Sequence, residues 1–173
     1  STTGTGLNGK DLKFICGTEY ISYEGDIYKF VIDSITDYPG LIQNGTSIII
    51  AKTNITIENI RVIVNNSTLL NNNGWIGNEY FGKEISEGTI SINKCFSNGN
   101  ISENSGGWIG KNALIGMSGG ILSITDSYST GNIEENGGGL IGSNTGELMS
   151  GGEITILNSY STGSIGINGG GIY

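Results

Sequence analysis

The sequence predicts an all-β fold, a parallel β-solenoid (β-helix) of about four coils with a non-repeating N-terminal β cap. Three observations carry that prediction. Similar stretches recur every 32 residues in the C-terminal part of the chain. The composition favours strands over helices. Gly and Asn separate short extended runs, as turns between strands require.

Of 173 residues, 31 are Gly, 29 Ile and 20 Asn, against 10 Leu, 2 Ala and a single Pro, Pro39. Helices want Ala, Leu and long polar side chains, whereas β-branched residues suit a pleated surface and Gly and Asn suit tight turns. The Ile content excludes ordinary disorder. No apolar run approaches the roughly 20 residues of a membrane span, so no membrane insertion is expected. No signal peptide is visible and the chain starts at Ser1, the start expected of a processed or excised piece.

Charge and residue usage narrow the function classes. The net charge is -8, which repels phosphate backbones and argues against nucleic acid as a partner. The chain has no His, which removes His-dependent triads and most transition-metal sites. Cys16 and Cys95 cannot form a zinc site alone, and one pair defines no disulfide framework. Cys95 falls where other copies carry Ser, and reads as a small buried residue.

The repeat sets the columns. Residues 88–110 read GTISINKCFSNGNISENSGGWIG, residues 120–142 GILSITDSYSTGNIEENGGGLIG, and residues 152–173 GEITILNSYSTGSIGINGGGIY. Phe96, Tyr128 and Tyr160 keep the step of 32, as do Gly99, Gly131 and Gly163, and Ile101, Ile133 and Ile165. Asn104, Asn136 and Asn168 do the same. A degenerate copy begins near residues 55–64 and reaches GWIG at 74–77, which lies 33 residues before the second GWIG. One Ile-rich copy cannot bury its own apolar face; stacked copies can. Equivalent residues of stacked coils lie about 4.8 Å apart, so each column becomes a ladder.

These residues resemble the GLUG motif, a Gly-Leu-any-Gly core often preceded by Asn-Ser-Tyr-Ala-Thr-Gly. The matches are SYSTG at 127–131 with GGLIG at 138–142, and SYSTG at 159–163 with GGIY at 170–173. The resemblance spans about residue 55 to the C-terminus. Trp75 and Trp108 depart from it by replacing Leu, and a long loop follows each GxIG. It implies a non-catalytic stalk or adhesive region of a large surface protein, and it brings no catalytic residue.

Parity then assigns faces. Leu122 and Ile124 alternate with Ser123 and Thr125, so the first pair faces inward. Ser127, Ser129, Gly131 and Ile133 share a second inward parity, which turns Tyr128, Thr130 and Asn132 outward. The reverse, with Tyr inside, is the alternative. The solenoid occupies residues 46–173. Residues 1–45 do not repeat and are expected to cap one open end. Within them, residues 20–23 and 27–32 flank Glu24, Gly25 and Asp26 as a hairpin. The other end stops at Tyr173, where either the native chain continues or something covers the edge.

Candidate sites follow from the columns. Asp126, Glu134, Glu135, Glu147 and Glu153 do not share columns, so they read as a solvated face rather than the paired carboxylates of a glycoside-cleaving site. No DxDxD-like spacing suggests calcium. No catalytic residue, metal or cofactor is therefore assigned. The outward column Phe96, Tyr128 and Tyr160, with Asn98, Thr130 and Thr162 beside it, is the candidate binding stripe: aromatic faces with flanking hydroxyls and amides suit glycans. Its alternative is a ladder that only stabilises the coils. Failing the stripe, binding would fall on the loops around Met117 and Met149. The expected function is a non-catalytic structural or adhesive module, a fibre, stalk or adhesin segment at a cell or virion surface. Its expected partners are glycans or host-surface molecules, with assembly as a homo-oligomer, trimer or fibre. The competing expectations are a polysaccharide-acting β-helix enzyme and a self-assembling fibre or coat component of a virus.

Overall fold

The computed structural model describes residues 2–3, 12–15, 29–51 and 54–172. The described strands are β1 (Thr2–Thr3), β2 (Leu12–Ile15), β3 (Lys29–Asp33), β4 (Ile42–Gln43), β5 (Ile55–Glu58), β6 (Arg61–Asn65), β7 (Thr89–Asn93), β8 (Phe96–Ser97), β9 (Ile121–Thr125), β10 (Tyr128–Ser129), β11 (Glu153–Leu157) and β12 (Tyr160–Ser161). No helix occurs among the described residues. Every described strand pair is parallel. One sheet runs β11-β9-β7-β5-β2 and a second β12-β10-β8-β6-β3. A third line of parallel bridges joins Gly74, Gly106, Gly138 and Gly170. The protein is a parallel β-solenoid of about four turns.

Left-handed residues turn the chain from one sheet to the next. Asn59, Lys94, Asp126 and Asn158 lie between the long and short strands with φ of 57°, 51°, 49° and 51°. Asn72, Asn104, Asn136 and Asn168 form a second such column, with φ between 54° and 69°. Asn tolerates this region because its short amide bonds locally. Nine of the seventeen described non-glycine residues with positive φ are Asn, which accounts for part of the Asn excess.

The core is a set of stacked apolar ladders. Ile55, Ile90, Leu122 and Ile154 pair in register, as do Ile57, Ile92, Ile124 and Ile156. In the first three coils of both ladders the side chains are fully buried, each contributing about 1.5–3 kcal/mol. Trp75 and Trp108 are also fully buried. Room for Trp75 depends on Gly99, where an added Cβ would lie 2.3 Å from the indole. The two GWIG motifs do not superpose: Gly74 pairs with Gly106 and Gly77 with Ile109, which offsets them by one residue. The backbone step of 32 prevails over the identity of the letters.

The ladder Ile101–Ile133–Ile165 forms by parallel bridges. Ile101 and Ile133 are buried, whereas Ile165, in the last described coil, is 54% exposed. Within residues 1–45, β2 and β3 each extend one sheet, pairing with β5 and β6. The turn and first strand of the expected hairpin, residues 20–28, lie outside the described residues, as does Cys16. Cys95 is buried. Its N–H donates to Ser127 Oγ at 3.0 Å and its thiol to the Asn93 carbonyl at 3.2 Å.

Candidate functional site

The direction of the aromatic column is set from inside. On β8 and β10, Ser97 and Ser129 point inward and are fully buried. The opposite wall comes very close there. A Cβ on Gly107 would lie 2.2 Å from the Gly139 carbonyl and 3.3 Å from Ser129 Cβ, and one on Gly139 would lie 2.5 Å from Ser161 Cβ. Only small side chains fit between the walls, so Phe96, Tyr128 and Tyr160 must face out.

Those three residues pair in register along β8, β10 and β12. Phe96 and Tyr128 have ring centroids 4.8 Å apart with planes inclined by 53°. Tyr128 and Tyr160 stack at 5.1 Å and 9°. Phe96 and Tyr128 are half-buried, while Tyr160 is 50% exposed. Asn98, Thr130 and Thr162 form the exposed column two residues further on, so all six sequence-predicted residues share one surface. The amide oxygen of Asn98 is committed to the fold: it accepts from Val64 N–H at 2.7 Å.

The stripe extends further than the sequence reading carried it. Arg61 pairs with Phe96, and Lys29 with Arg61, so the outward column reads Lys29, Arg61, Phe96, Tyr128, Tyr160. The Arg61 guanidinium lies 4.6 Å from the Phe96 ring centroid, a cation–π contact. Arg61 was hidden by spacing. Arg61 and Phe96 are 35 residues apart, whereas Gly74 and Gly106 are 32 apart, because the first copy has a longer corner after β6. Aligning ITIENIRV (55–62) with ISINKCFS (90–97) exposes the equivalence.

A cleft of about 200 Å³ runs between the corner residues Asn59, Lys94 and Asp126 and the stripe residues Arg61, Phe96 and Tyr128. Among the described residues, the ion pair found is Lys83–Glu84 at 3.0 Å; neither Arg61 nor Lys94 has a carboxylate within that reach. The Asp126 carboxylate accepts from Asn158 Nδ2 at 3.1 Å.

Other surfaces offer less. A second cleft of about 290 Å³ lies beside Gln43, Asn73, Asn78 and Tyr80. Two of its amides, those of Asn73 and Asn78, are used by the fold. Asn73 accepts from Glu79 N–H at 2.9 Å and donates to the Asn71 carbonyl at 3.0 Å. Asn78 accepts from Asn44 N–H at 3.3 Å and donates to the Gly45 carbonyl at 3.1 Å. Asp126, Glu134, Glu135, Glu147 and Glu153 are all exposed. Among the described residues, no three His, Cys, Asp or Glu side chains are grouped to hold a metal. The loop around Met117 is folded inward, with Ala113, Leu114 and Met117 fully buried, and Met149 is half-buried. Comparison of the chain with protein families, with curated proteins and with solved structures found no match.

Proposed function

We propose that this chain is a non-catalytic structural or adhesive surface module, a rigid solenoid that presents a glycan-binding edge from a fibre, stalk or adhesin at a cell or virion surface. The observation behind this reading is the outward column, which carries aromatic and basic side chains at one position of successive coils. Such a ladder suits an extended polymer, because its contacts repeat about every 4.8 Å. The GLUG-like copies support the same reading. Its test is a panel of soluble glycans assayed for both retention and cleavage. Retention without new reducing ends is expected; turnover would overturn the proposal.

Self-assembly is a second reading, favoured by a change of character in the last coil. Leu157 follows Glu58, Asn93 and Thr125 in its column and is 56% exposed. Ile167 stands at the repeat step from Glu103 and Glu135 and is 74% exposed. Leu148 stands at the same step from Glu84 and Gly116 and is 77% exposed. Sedimentation across protein concentration separates a monomer from a trimer or fibre.

A further inference from the structure

We propose that the ligand of this edge is an acidic polysaccharide, carrying carboxylate or sulfate groups, held edge-on by Arg61, Lys94 and the rims of Phe96, Tyr128 and Tyr160. The inference rests on the glycan-binding reading above and gives it a ligand class. A neutral sugar would stack on aromatic faces, and here both faces of Phe96 and Tyr128 are occupied, which leaves only the outer face of Tyr160. Arg61 lies over Phe96, Phe96 against Tyr128, and Tyr128 against Tyr160. Along its length the column therefore offers a ligand ring rims and phenol hydroxyls, with a single ring face at its Tyr160 end. The rim of an aromatic quadrupole is its positive part, and a hydroxyl donates hydrogen bonds. Both favour an anion.

The charges point the same way. The chain carries a net charge of -8, yet of the six basic residues described, Lys29, Arg61 and Lys94 lie along this edge. Arg61 is oriented by its ring contact and, like Lys94, has no carboxylate at ion-pair distance among the described residues. A planar guanidinium beside a compact ammonium group suits a carboxylate or a sulfate. Asp126 lines the same cleft and brings a negative charge; it can accept from sugar hydroxyls, which inorganic anions lack. Stepping the column about 4.8 Å per coil presents these groups in a straight line to one extended chain.

The test immobilises the full chain at high density, so that weak contacts act together, and measures retention of polygalacturonate, dextran sulfate, neutral dextran and single-stranded DNA. We expect at least one acidic polymer to be retained about tenfold more strongly than dextran, with the difference fading above roughly 0.5 M salt as charges are screened. Preference for polygalacturonate assigns a carboxylate ligand, and preference for dextran sulfate a sulfated one. Arg61→Gln with Lys94→Gln is expected to lower retention about tenfold. Lys83→Gln with Lys111→Gln, which removes the same charge elsewhere, is expected to leave it unchanged. Lys94→Gln alone, on an exposed side chain, serves if the double variant melts early. Equal retention of dextran and the acidic polymers overturns the anionic assignment and leaves the module reading standing. Equal retention of single-stranded DNA overturns the sugar assignment. Retention of no glycan overturns the glycan-binding reading and this inference with it.

Discussion

Tyr128 and Tyr160 lie ring over ring, 5.1 Å between centroids and within 9° of parallel, although 32 residues separate them. Tyr128 is the middle of the ladder, with Phe96 on its other side; Tyr160 is at its end. Each aromatic pair contributes about 0.5–1.5 kcal/mol beyond the area it buries. Tyr128→Ala removes two such pairs and Tyr160→Ala one. Urea unfolding should therefore show Tyr128→Ala destabilised by about 2–3 kcal/mol and Tyr160→Ala by about 1 kcal/mol. Equal losses would mean that the rings do not stack in solution.

Ile133 and Ile165 occupy one column and pair across adjacent coils, yet Ile133 is 3% exposed and Ile165 54%. An Asp at the first position buries an unpaired charge, whereas at the second it reaches water. Ile133→Asp should cost about 3 kcal/mol or more, a fall of about 6 °C or more in melting temperature for a chain of this length. Ile165→Asp should stay within about 2 °C of the parent. A mild effect at Ile133 would place that residue outside the core.

Glycine columns mark where coils touch through the backbone. A Cβ on Gly131 would lie 1.8 Å from the Gly99 carbonyl oxygen, while one on Gly171 meets nothing within 4 Å. The first clash is with main chain and cannot be relieved by turning a side chain. Gly131→Ala should cost about 3 kcal/mol or more, and Gly171→Ala should be neutral within about 0.5 kcal/mol. Comparing urea midpoints of the two variants checks both values.

The sequence made the coil legible where residue type and spacing agree. Leu122 and Ile124 alternate with polar neighbours, and both are buried. The inward set Ser127, Ser129, Gly131 and Ile133 is likewise buried. Parity alone left the direction of Tyr128 open, because either face of that short strand satisfies alternation. The closeness of the opposite Gly wall decides it, and that distance exists only once the coil closes. Matching letters misaligned the two GWIG motifs, since a ladder is kept by backbone register and Trp75 found its space over Gly99. The cationic end of the stripe was missed for the converse reason: Arg61 shares the column of Phe96 but neither its residue type nor the step of 32.

Tyr38 gives the fold a dependence on alkaline pH. Its side chain is 9% exposed and stacks on the buried Trp75, with centroids 5.8 Å apart and planes inclined by 22°. Burial disfavours the phenolate and raises the Tyr38 pKa from 10.0 to about 12. The folded protein thus holds the phenol proton more tightly than the unfolded chain does. Stability from this residue is complete below pH 10 and is lost as the pH rises from 10 through about 12, where the unfolded state gains by ionising first. The comparison is with Tyr38→Phe, which keeps the ring and removes the ionisation. The urea midpoints of the two proteins should keep a constant offset from pH 7 to 9. Between pH 10 and 12 the parent should lose ground to Tyr38→Phe. A constant offset across the whole range would mean that Tyr38 ionises as readily in the folded protein as in the unfolded chain, and that water reaches its hydroxyl.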